Sequence, residues 1–184
     1  MRKSSFDLCP FYAFCSLLFL VPQVPSVEYQ IKASFLYNFA QFVQWPVQAF
    51  SDRGTPFTIC VAGDLSFQGS IERITEGERL NGRQVAVRRL DSPNVTGCHI
   101  LYVASTYVGQ AADMIRAAGN MPVLTVGESS DFINAGGMIR FTEVAHRVRF
   151  EINPDAVQRA SLRASSRLLR VADIVRPRQR GTSP

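Results

Sequence analysis

The sequence contains few residues that carry out chemistry. It has two histidines, His99 and His146, four cysteines and no CxxC motif. Metal sites need clustered cysteine, histidine or carboxylate ligands, and nucleophilic catalysis needs a nucleophile and a base held together. The isolated histidines and scattered carboxylates supply neither arrangement. We therefore predict no catalytic residue, no metal site and no cofactor, and an enzyme remains only as the least supported alternative.

Glycine motifs for nucleotide binding are absent as well. Gly63 and Gly69 do not form GxGxxG, and no GxxxxGK[ST] occurs. The net charge of +5 is small and dispersed, so nucleic acid is not an expected partner. Asp64 and Glu128 follow predicted strands, and ligands of α/β sheets often lie beyond the carboxyl ends of strands. A small-ligand cleft there is one interpretation, and a turn or cap role for Asp64 is the simpler one.

The first 26 residues have the features of a secretory signal peptide. Arg2 and Lys3 precede an apolar run over residues 11–21, which is too short to span a bilayer. We expect residues 1–26 to be removed on export, and the alternative is an uncleaved membrane anchor. The rest is long enough for one domain, residues 27–175, followed by a predicted disordered tail, residues 176–184.

Two cysteines, Cys60 and Cys98, follow the predicted signal peptide. An even pair in an exported chain favours a disulfide, and both residues lie in predicted strands that could be neighbours in a sheet. The alternative is a pair of free buried thiols.

Strand and helix patterns alternate along the rest of the chain. Apolar or alternating runs predict strands, and 3.6-residue periodicity predicts helices between them. Strands are predicted at 57–62, around 85–87, at 98–104, 123–126, 138–141 and 144–152, and helices at 66–76 and 107–118. We therefore predict a single α/β domain with a mostly parallel sheet, an antiparallel edge hairpin and covering helices.

A helix predicted over residues 27–45 is apolar on nearly every side. Phe35, Phe39 and Phe42 form an aromatic stripe beside a second apolar stripe. One interpretation is a central core helix. The other is that the aromatic stripe packs against a second copy or a partner.

A last helix is predicted over residues 154–174, with arginines clustered on one face. The residues proposed to share its functional faces are Val157, Arg159, Leu162, Arg163, Arg167, Leu169 and Arg170. This pattern is typical of a docked helix with a solvated basic side. It also fits an anionic ligand or an acidic partner, because the planar guanidinium grips carboxylates and phosphates at two points. Glu151, on the strand before it, is expected to pair with the arginines or orient them.

Several long motifs resemble the YfiR-like family of exported proteins. They are YQIKASFLYNFAQFVQWP, GCHILYVA, PVLTVGESSDFINAGGMIRF and RVRFEINPDAVQRASLRASSRLLRVA. The resemblance implies a periplasmic repressor, a homodimer, that binds the periplasmic domain of an inner-membrane diguanylate cyclase (YfiN-like) and lowers cyclic-di-GMP signalling. A YfiB-like outer-membrane lipoprotein would sequester it. Because family members also occur beside other sensors, a sensor kinase is an alternative target.

The resemblance also implies sites. It pairs Cys60 with Cys98, and it places the working surface at Glu151, Val157 and Arg163. The repressor that gives the family its name carries a second cysteine pair, which this chain lacks. An alternative function is a small-molecule sensor subunit that binds an anionic or aromatic ligand through the arginines.

Overall fold

The computed structural model describes residues 26–177. The predicted signal peptide up to residue 25, and the predicted tail from residue 178, lie outside the described residues. The helices and strands in chain order are α1 (Val27–Phe42), β1 (Val43–Gln44), β2 (Phe57–Ala62), α2 (Leu65–Thr75), β3 (Arg79–Leu80), β4 (Arg83–Leu90), β5 (Ile100–Val103), α3 (Val108–Ala118), β6 (Leu124–Gly127), β7 (Ile139–Val144), β8 (Arg147–Ile152), α4 (Pro154–Arg159), β9 (Arg163–Ala164), α5 (Ser166–Val171) and β10 (Asp173–Ile174).

An eight-stranded sheet organises the domain, in the order β10-β8-β7-β6-β5-β2-β4-β3. The five strands from β4 to β7 in this order pair in parallel, and β7 and β8 form an antiparallel hairpin. This confirms the predicted α/β fold with its mostly parallel sheet and antiparallel hairpin. The hairpin is not the last element at its edge, because β10 adds a further strand in parallel to β8.

Successive side chains along each strand point to opposite faces of the sheet, so buried side chains form a hydrophobic core on each face. On one face α1, α2, α4 and α5 pack over the sheet, and the rings of Phe39 and Phe150 meet edge to face with 4.9 Å between their centroids. On the other face α3 covers β5 and β6 through side chains such as Met114, which is fully buried. The two helical layers exclude water from both sides of the central strands, which is the main stabilising effect in such a fold.

The structure contains the predicted Cys60–Cys98 disulfide, with 5.8 Å between the two Cα atoms. Cys60 lies in β2, and Cys98 lies two residues before β5, the strand next to β2. The bridge joins residues 38 apart in sequence. A loop of that size corresponds to about 3–4 kcal/mol of stabilisation in the chain-entropy account.

Two helix predictions were wrong in extent. The first helix ends at Phe42, because Val43 and Gln44 pair as a short strand with Ala164 and Arg163. This pairing joins the end of α1 to the C-terminal part of the domain.

The helix predicted over residues 154–174 is broken into α4, β9 and α5. Ser161 has φ +58°, a left-handed conformation that stops α4, and Leu162 then turns into the core with 1% exposure. Ser165 begins α5, since its hydroxyl accepts a bond from the Leu168 amide at 3.3 Å. The predicted arginine stripe is therefore distributed over three elements and is not one helix face.

The Gly136–Gly137 pair leaves space for a neighbouring aromatic ring. Gly136 has φ +101°, and Gly137 lies against the buried ring of Phe132 so closely that a Cβ atom there would overlap the ring carbons. Gly127, at the end of β6, is equally close to the same ring. The ring thus fills the space left by the two missing side chains.

We expect Gly137→Ala to lower the free energy of unfolding by about 1–3 kcal/mol, the usual cost of overpacking a core. The matched control is Gly69→Ala in the middle of α2, where no atom lies within 4 Å of the added methyl group. That control is expected to stabilise by about 0.5–1 kcal/mol, because alanine favours helix interiors. Denaturant unfolding measures both, and equal effects would contradict the packing account.

Candidate functional site

Polar side chains gather at the carboxyl ends of the central strands, as predicted from Asp64 and Glu128. The position lies next to the point where the chain changes direction, with β4 on one side of β2 and β5 on the other. Lys32 on α1 places its Nζ 2.7 Å from Glu128 Oε1 and 2.5 Å from Glu28 Oε1. The Tyr102 hydroxyl donates a hydrogen bond to the same Glu128 oxygen.

These contacts set the protonation of the cluster. Burial works against charge on Glu128, but the bonds from Lys32 and Tyr102 outweigh it and hold the pKa of this carboxyl below its ordinary value. Burial also acts to lower the pKa of Lys32, and its two carboxylate partners raise it instead. Lys32 and Glu128 therefore form an ion pair at neutral pH.

Asp64 serves mainly as a cap. Its Oδ1 atom accepts bonds from the amides of Ser66 at 2.8 Å and Phe67 at 3.1 Å at the start of α2. The Tyr29 hydroxyl donates to its Oδ2 atom at 2.5 Å, and this bond raises the pKa of Tyr29 to about 12. The cap interpretation of Asp64 therefore agrees with the structure.

The polar cluster is closed rather than open to a ligand. Lys32 is only 8% exposed, and every charged oxygen and nitrogen described above already has a protein partner. At the place where α/β sheets commonly bind ligands, α1 supplies the charged group itself. We conclude that this cluster fixes α1 on the sheet.

A large open cleft lies instead between the end of α1 and the segment that follows β8. Its volume is about 890 Å³, within the usual range of small-molecule sites. Trp45 lines one wall, with its indole Nε1–H fixed by a 3.2 Å bond to the His99 carbonyl. Val157, Leu162, Arg163 and Leu169, four of the predicted site residues, line the cleft as well.

Two smaller grooves lie away from this cleft, one beside α5 and one beside the start of α1. One, of about 350 Å³, is lined by Phe35, Val148, Arg170 and Val171 among others. The other, of about 480 Å³, shares Phe35 and Val148 with it and extends along α1 past Ile31. We call the surface made by the cleft, the two grooves and α5 between them the α5 face.

The predicted site residues are only partly brought together. Arg163 and Arg170 line the α5 face, Arg167 is exposed on α5 itself, and Arg159 is exposed at the end of α4. Phe42 is partly buried against the core. Three of the candidates are inside the monomer, with exposures of 0–1%: Phe39, Val157 and Leu162.

Glu151 does not pair with the arginines of the last segment, contrary to the prediction. Its two carboxylate oxygens accept bonds from Arg140 at 2.8 and 2.9 Å. The β7–β8 register places these two residues opposite each other, so the cross-strand partner is nearer than any other cation.

Sequence analysis missed the wall of the cleft formed by Trp45, Pro46 and Val47. These residues follow α1, and the sequence placed only the end of the helix predicted over residues 27–45 there. Val47 is 84% exposed, and this exposure is visible only in the structure, because nothing in the sequence marks the residue.

Comparison with known proteins identifies the family. A profile described as YfiR/HmsC-like matches residues 29–173, well over half of the chain. The chain belongs to the YfiR/HmsC-like family. This confirms the resemblance found in the sequence motifs. The YfiR/HmsC-like family is one of periplasmic regulators connected with diguanylate cyclase signalling and is not known as a family of enzymes.

Two solved structures match parts of the chain at low sequence identity. A conserved domain protein from Vibrio cholerae O1 biovar El Tor str. N16961 is 9% identical with a TM-score of 0.51, over 80% of this chain and 60% of that one. An ABC domain from Streptococcus pneumonia, solved in complex with L-Trp, is 11% identical with a TM-score of 0.47, over 65% of this chain and 55% of that one. The chain thus spans less than two thirds of either protein, and the Vibrio likeness concerns the fold alone.

Within residues 26–177, no helix is long and apolar enough to cross a membrane. The same residues form no group of three or more histidine, cysteine, aspartate or glutamate side chains arranged to hold a metal ion.

We expect Glu128→Gln to lower the free energy of unfolding at pH 7 by about 1.5–3 kcal/mol, the value of a hydrogen bond to a charged partner. The pKa of this carboxyl is below its ordinary value of about 4.3. Its contribution is therefore present above that pH and is lost as the pH falls through the lowered pKa. The difference between wild type and variant should shrink below about pH 4.

The control is Glu76→Gln, an exposed carboxylate after α2, which should change stability by less than about 0.5 kcal/mol. Denaturant unfolding from pH 3 to pH 9 makes the comparison. A loss in Glu128→Gln that persisted unchanged at pH 3 would contradict the ion-pair assignment.

Proposed function

We propose that this chain is a periplasmic regulator that represses an inner-membrane diguanylate cyclase by binding its periplasmic domain through the α5 face. Repression lowers cyclic-di-GMP signalling. The chain acts after export, with the signal peptide at residues 1–26 removed, and a YfiB-like lipoprotein competes for it. The observation that carries the proposal is the concentration of exposed apolar side chains and unpaired arginines on this one face.

Exposed apolar side chains on the α5 face favour binding to a macromolecular partner. Val27, Ile31, Val47 and Val171 are 40–84% exposed and all lie on the α5 face. They make up half of the exposed large apolar side chains among the described residues. Exposed apolar side chains gathered on one face favour an interaction site there.

The charges of the face favour an acidic partner. Two of its carboxylates already have cations, since Glu28 binds Lys32 and Asp173 lies 3.4 Å from Arg149, and a third, Glu143, contacts His146 at 3.2 Å. Within residues 26–177, no ion pair engages Arg163, Arg167 or Arg170. Arginine at the centre of an apolar surface is a frequent source of binding energy. A partner segment with carboxylates flanking aromatic or aliphatic anchors fits these features.

A homodimer is part of the proposal. Phe35 and Leu169 are partly buried residues on the two sides of α5, and a second copy would cover one side of the α5 face while the cyclase covers the other. Phe39 and Leu162 have an indirect role, because they belong to the hydrophobic core against which Phe35 and Leu169 pack.

We expect Val171→Glu and Arg170→Glu to weaken co-purification with the membrane cyclase at least about ten-fold, which corresponds to about 1.4 kcal/mol, and to raise cellular cyclic-di-GMP. A carboxylate at either position would oppose an acidic partner, and Val171→Glu would also remove an apolar anchor. Both side chains are exposed, so folding should be preserved.

Two matched controls lie away from the α5 face. Leu65 has the same 62% exposure as Val171, and Arg116 is exposed on α3, on the other side of the sheet. Leu65→Glu and Arg116→Glu should bind and repress like wild type. Equal loss in all four variants, or in none, would count against the α5 face.

The cleft favours a second candidate function, a sensor subunit for an anionic or aromatic small molecule, with a sensor kinase as its target. Its volume of about 890 Å³, the fixed Trp45 ring and the free guanidinium of Arg163 are the observations behind it. An aromatic ring would stack on the tryptophan, and a carboxylate or phosphate would bind the arginine.

Trp45 is the only tryptophan of the chain, so its fluorescence reports directly on the cleft. Titration with nucleotides, and calorimetry with aromatic amino acids, should detect binding that Arg163→Ala weakens at least about ten-fold. Arg159→Ala is the control, because this arginine does not line the cleft. Binding that survives Arg163→Ala, or no binding at all, would remove this candidate.

A further inference from the structure

His99 holds one wall of the cleft in place. The Trp45 indole Nε1–H bonds the His99 carbonyl at 3.2 Å, and the imidazole Nε2 atom lies 3.1 Å from the Ala49 carbonyl. The Phe50 ring stacks on the imidazole with 4.4 Å between the ring centroids. We call residues 45–50, whose first three residues line the cleft, the wall segment. Three contacts of the wall segment therefore converge on one residue.

These contacts require a neutral imidazole. The Thr58 amide donates to the Nδ1 atom of His99 at 3.0 Å, so Nδ1 accepts and carries no proton. The Ala49 carbonyl can only accept, so the ring proton is on Nε2. Protonation of Nδ1 would set two donors against each other across the 3.0 Å contact. The ring can therefore become charged only by giving up its bond to Thr58.

The surroundings of the ring also disfavour charge. His99 is 2% exposed, and its ring packs against those of Phe50 and Phe57, with centroid distances of 4.4 and 5.0 Å. Burial lowers the pKa of this imidazole below its ordinary value, and the bond to Ala49 acts in the opposite direction. The Arg83 guanidinium, which lies 3.9 Å from the centroid of the Phe50 ring, lowers the pKa further.

Within residues 26–177, no carboxylate bonds to the ring or offsets the cost of charging it. From β2 the ring meets a backbone amide and a phenyl ring, and from β6 the Leu124 amide bonds the His99 carbonyl at 2.9 Å. The loop after the wall segment carries Asp52, whose carboxylate accepts bonds from two amides of its own turn. Arg83 is the charged group that acts on the ring, and it opposes a second positive charge.

We propose that His99 makes the cleft acid-sensitive, because protonation of its ring releases the wall segment. The charged imidazole turns away from the Thr58 amide and loses its contacts with Ala49 and Phe50. The wall segment then moves relative to the strands, and the cleft changes shape. This rearrangement is independent of what binds the α5 face. Its consequence, weaker binding at that face in acid, rests on the proposed function.

The closed arrangement is favoured at neutral pH and weakened by acid. An imidazole released into water has the ordinary pKa of about 6.5, and in the closed arrangement the pKa of His99 is lower. The released form therefore binds the proton more readily. The contribution of His99 to the closed arrangement is complete above about pH 6.5 and is lost as the pH falls through the lowered pKa.

The first test uses His146→Gln, in which His99 is the only histidine. His146 is fully exposed, so folding should be preserved. Nuclear magnetic resonance of the ring nitrogens follows the protonation of His99, and the indole resonance of Trp45, the only tryptophan, follows the wall segment. We expect a proton on Nε2 alone at pH 8, a midpoint below about pH 6.5, and a shift of the indole resonance with the same midpoint.

Exchange of the Trp45 indole proton with deuterium separates movement from a local effect of charge. Its bond to the His99 carbonyl protects it. We expect this protection, relative to free tryptophan at the same pH, to fall at least about ten-fold as His99 is protonated. Unchanged protection while His99 titrates would overturn the proposal. So would a His99 ring that stays neutral down to about pH 4.5, where carboxylates begin to titrate.

A variant pair assigns the effect to this histidine. His99→Gln keeps a donor for the Ala49 carbonyl but has no titratable group, so the acid-dependent loss of indole protection should disappear. His146→Gln is the matched control and should lose protection as wild type does. A loss that persists in His99→Gln would contradict the proposal. Neither measurement uses a partner or a ligand, so their outcome is separate from that of the binding experiments on the α5 face.

Discussion

The docking of α1 onto the sheet is the constraint on which the rest of the structure depends. Leu36 and Phe39 bury fully against the strands, and Lys32 adds a charged contact to this apolar packing. A shift of α1 would separate Lys32 from Glu128, and a nearly buried cation without its carboxylate is costly. Its ion pair with Glu128 therefore fixes the position of α1 along the sheet.

The position of α1 determines the α5 face. Because the helix ends at Phe42, the next two residues pair with β9, and the Ser165 amide bonds the Phe42 carbonyl at 2.8 Å. These bonds place α5 beside α1 and leave a cleft on one side and grooves on the other. The arginines of this segment then project from short elements whose backbone is fixed. The candidate surface thus depends on the backbone hydrogen bonds that the residues at the end of α1 make with the chain around β9.

The strands of this domain could be predicted from the sequence because their apolar runs and alternation are local properties. The chain from residue 154 to residue 174 could not, since its apolar residues keep helical spacing across the break. Only Ser161 and Ser165, weak stop and cap signals, mark the interruption. The partner of Glu151 depends on the register of β7 and β8, and the cleft depends on the meeting of residues over a hundred positions apart. Neither is encoded in a single stretch of chain. Arg163 and Leu169, in contrast, were candidates because arginines and apolar residues at helical spacing form a local pattern, and both line the cleft.

The central claim is that this protein works by touching a membrane signalling enzyme with its α5 face. The most direct measurement places a photocrosslinking amino acid at position 171 on α5, or at position 116 on α3, and irradiates intact cells. The account predicts a crosslink from position 171 to an inner-membrane protein that carries a diguanylate cyclase domain, and none from position 116. A crosslink from position 116 alone, or none from position 171 when the protein is active in repression, would contradict it.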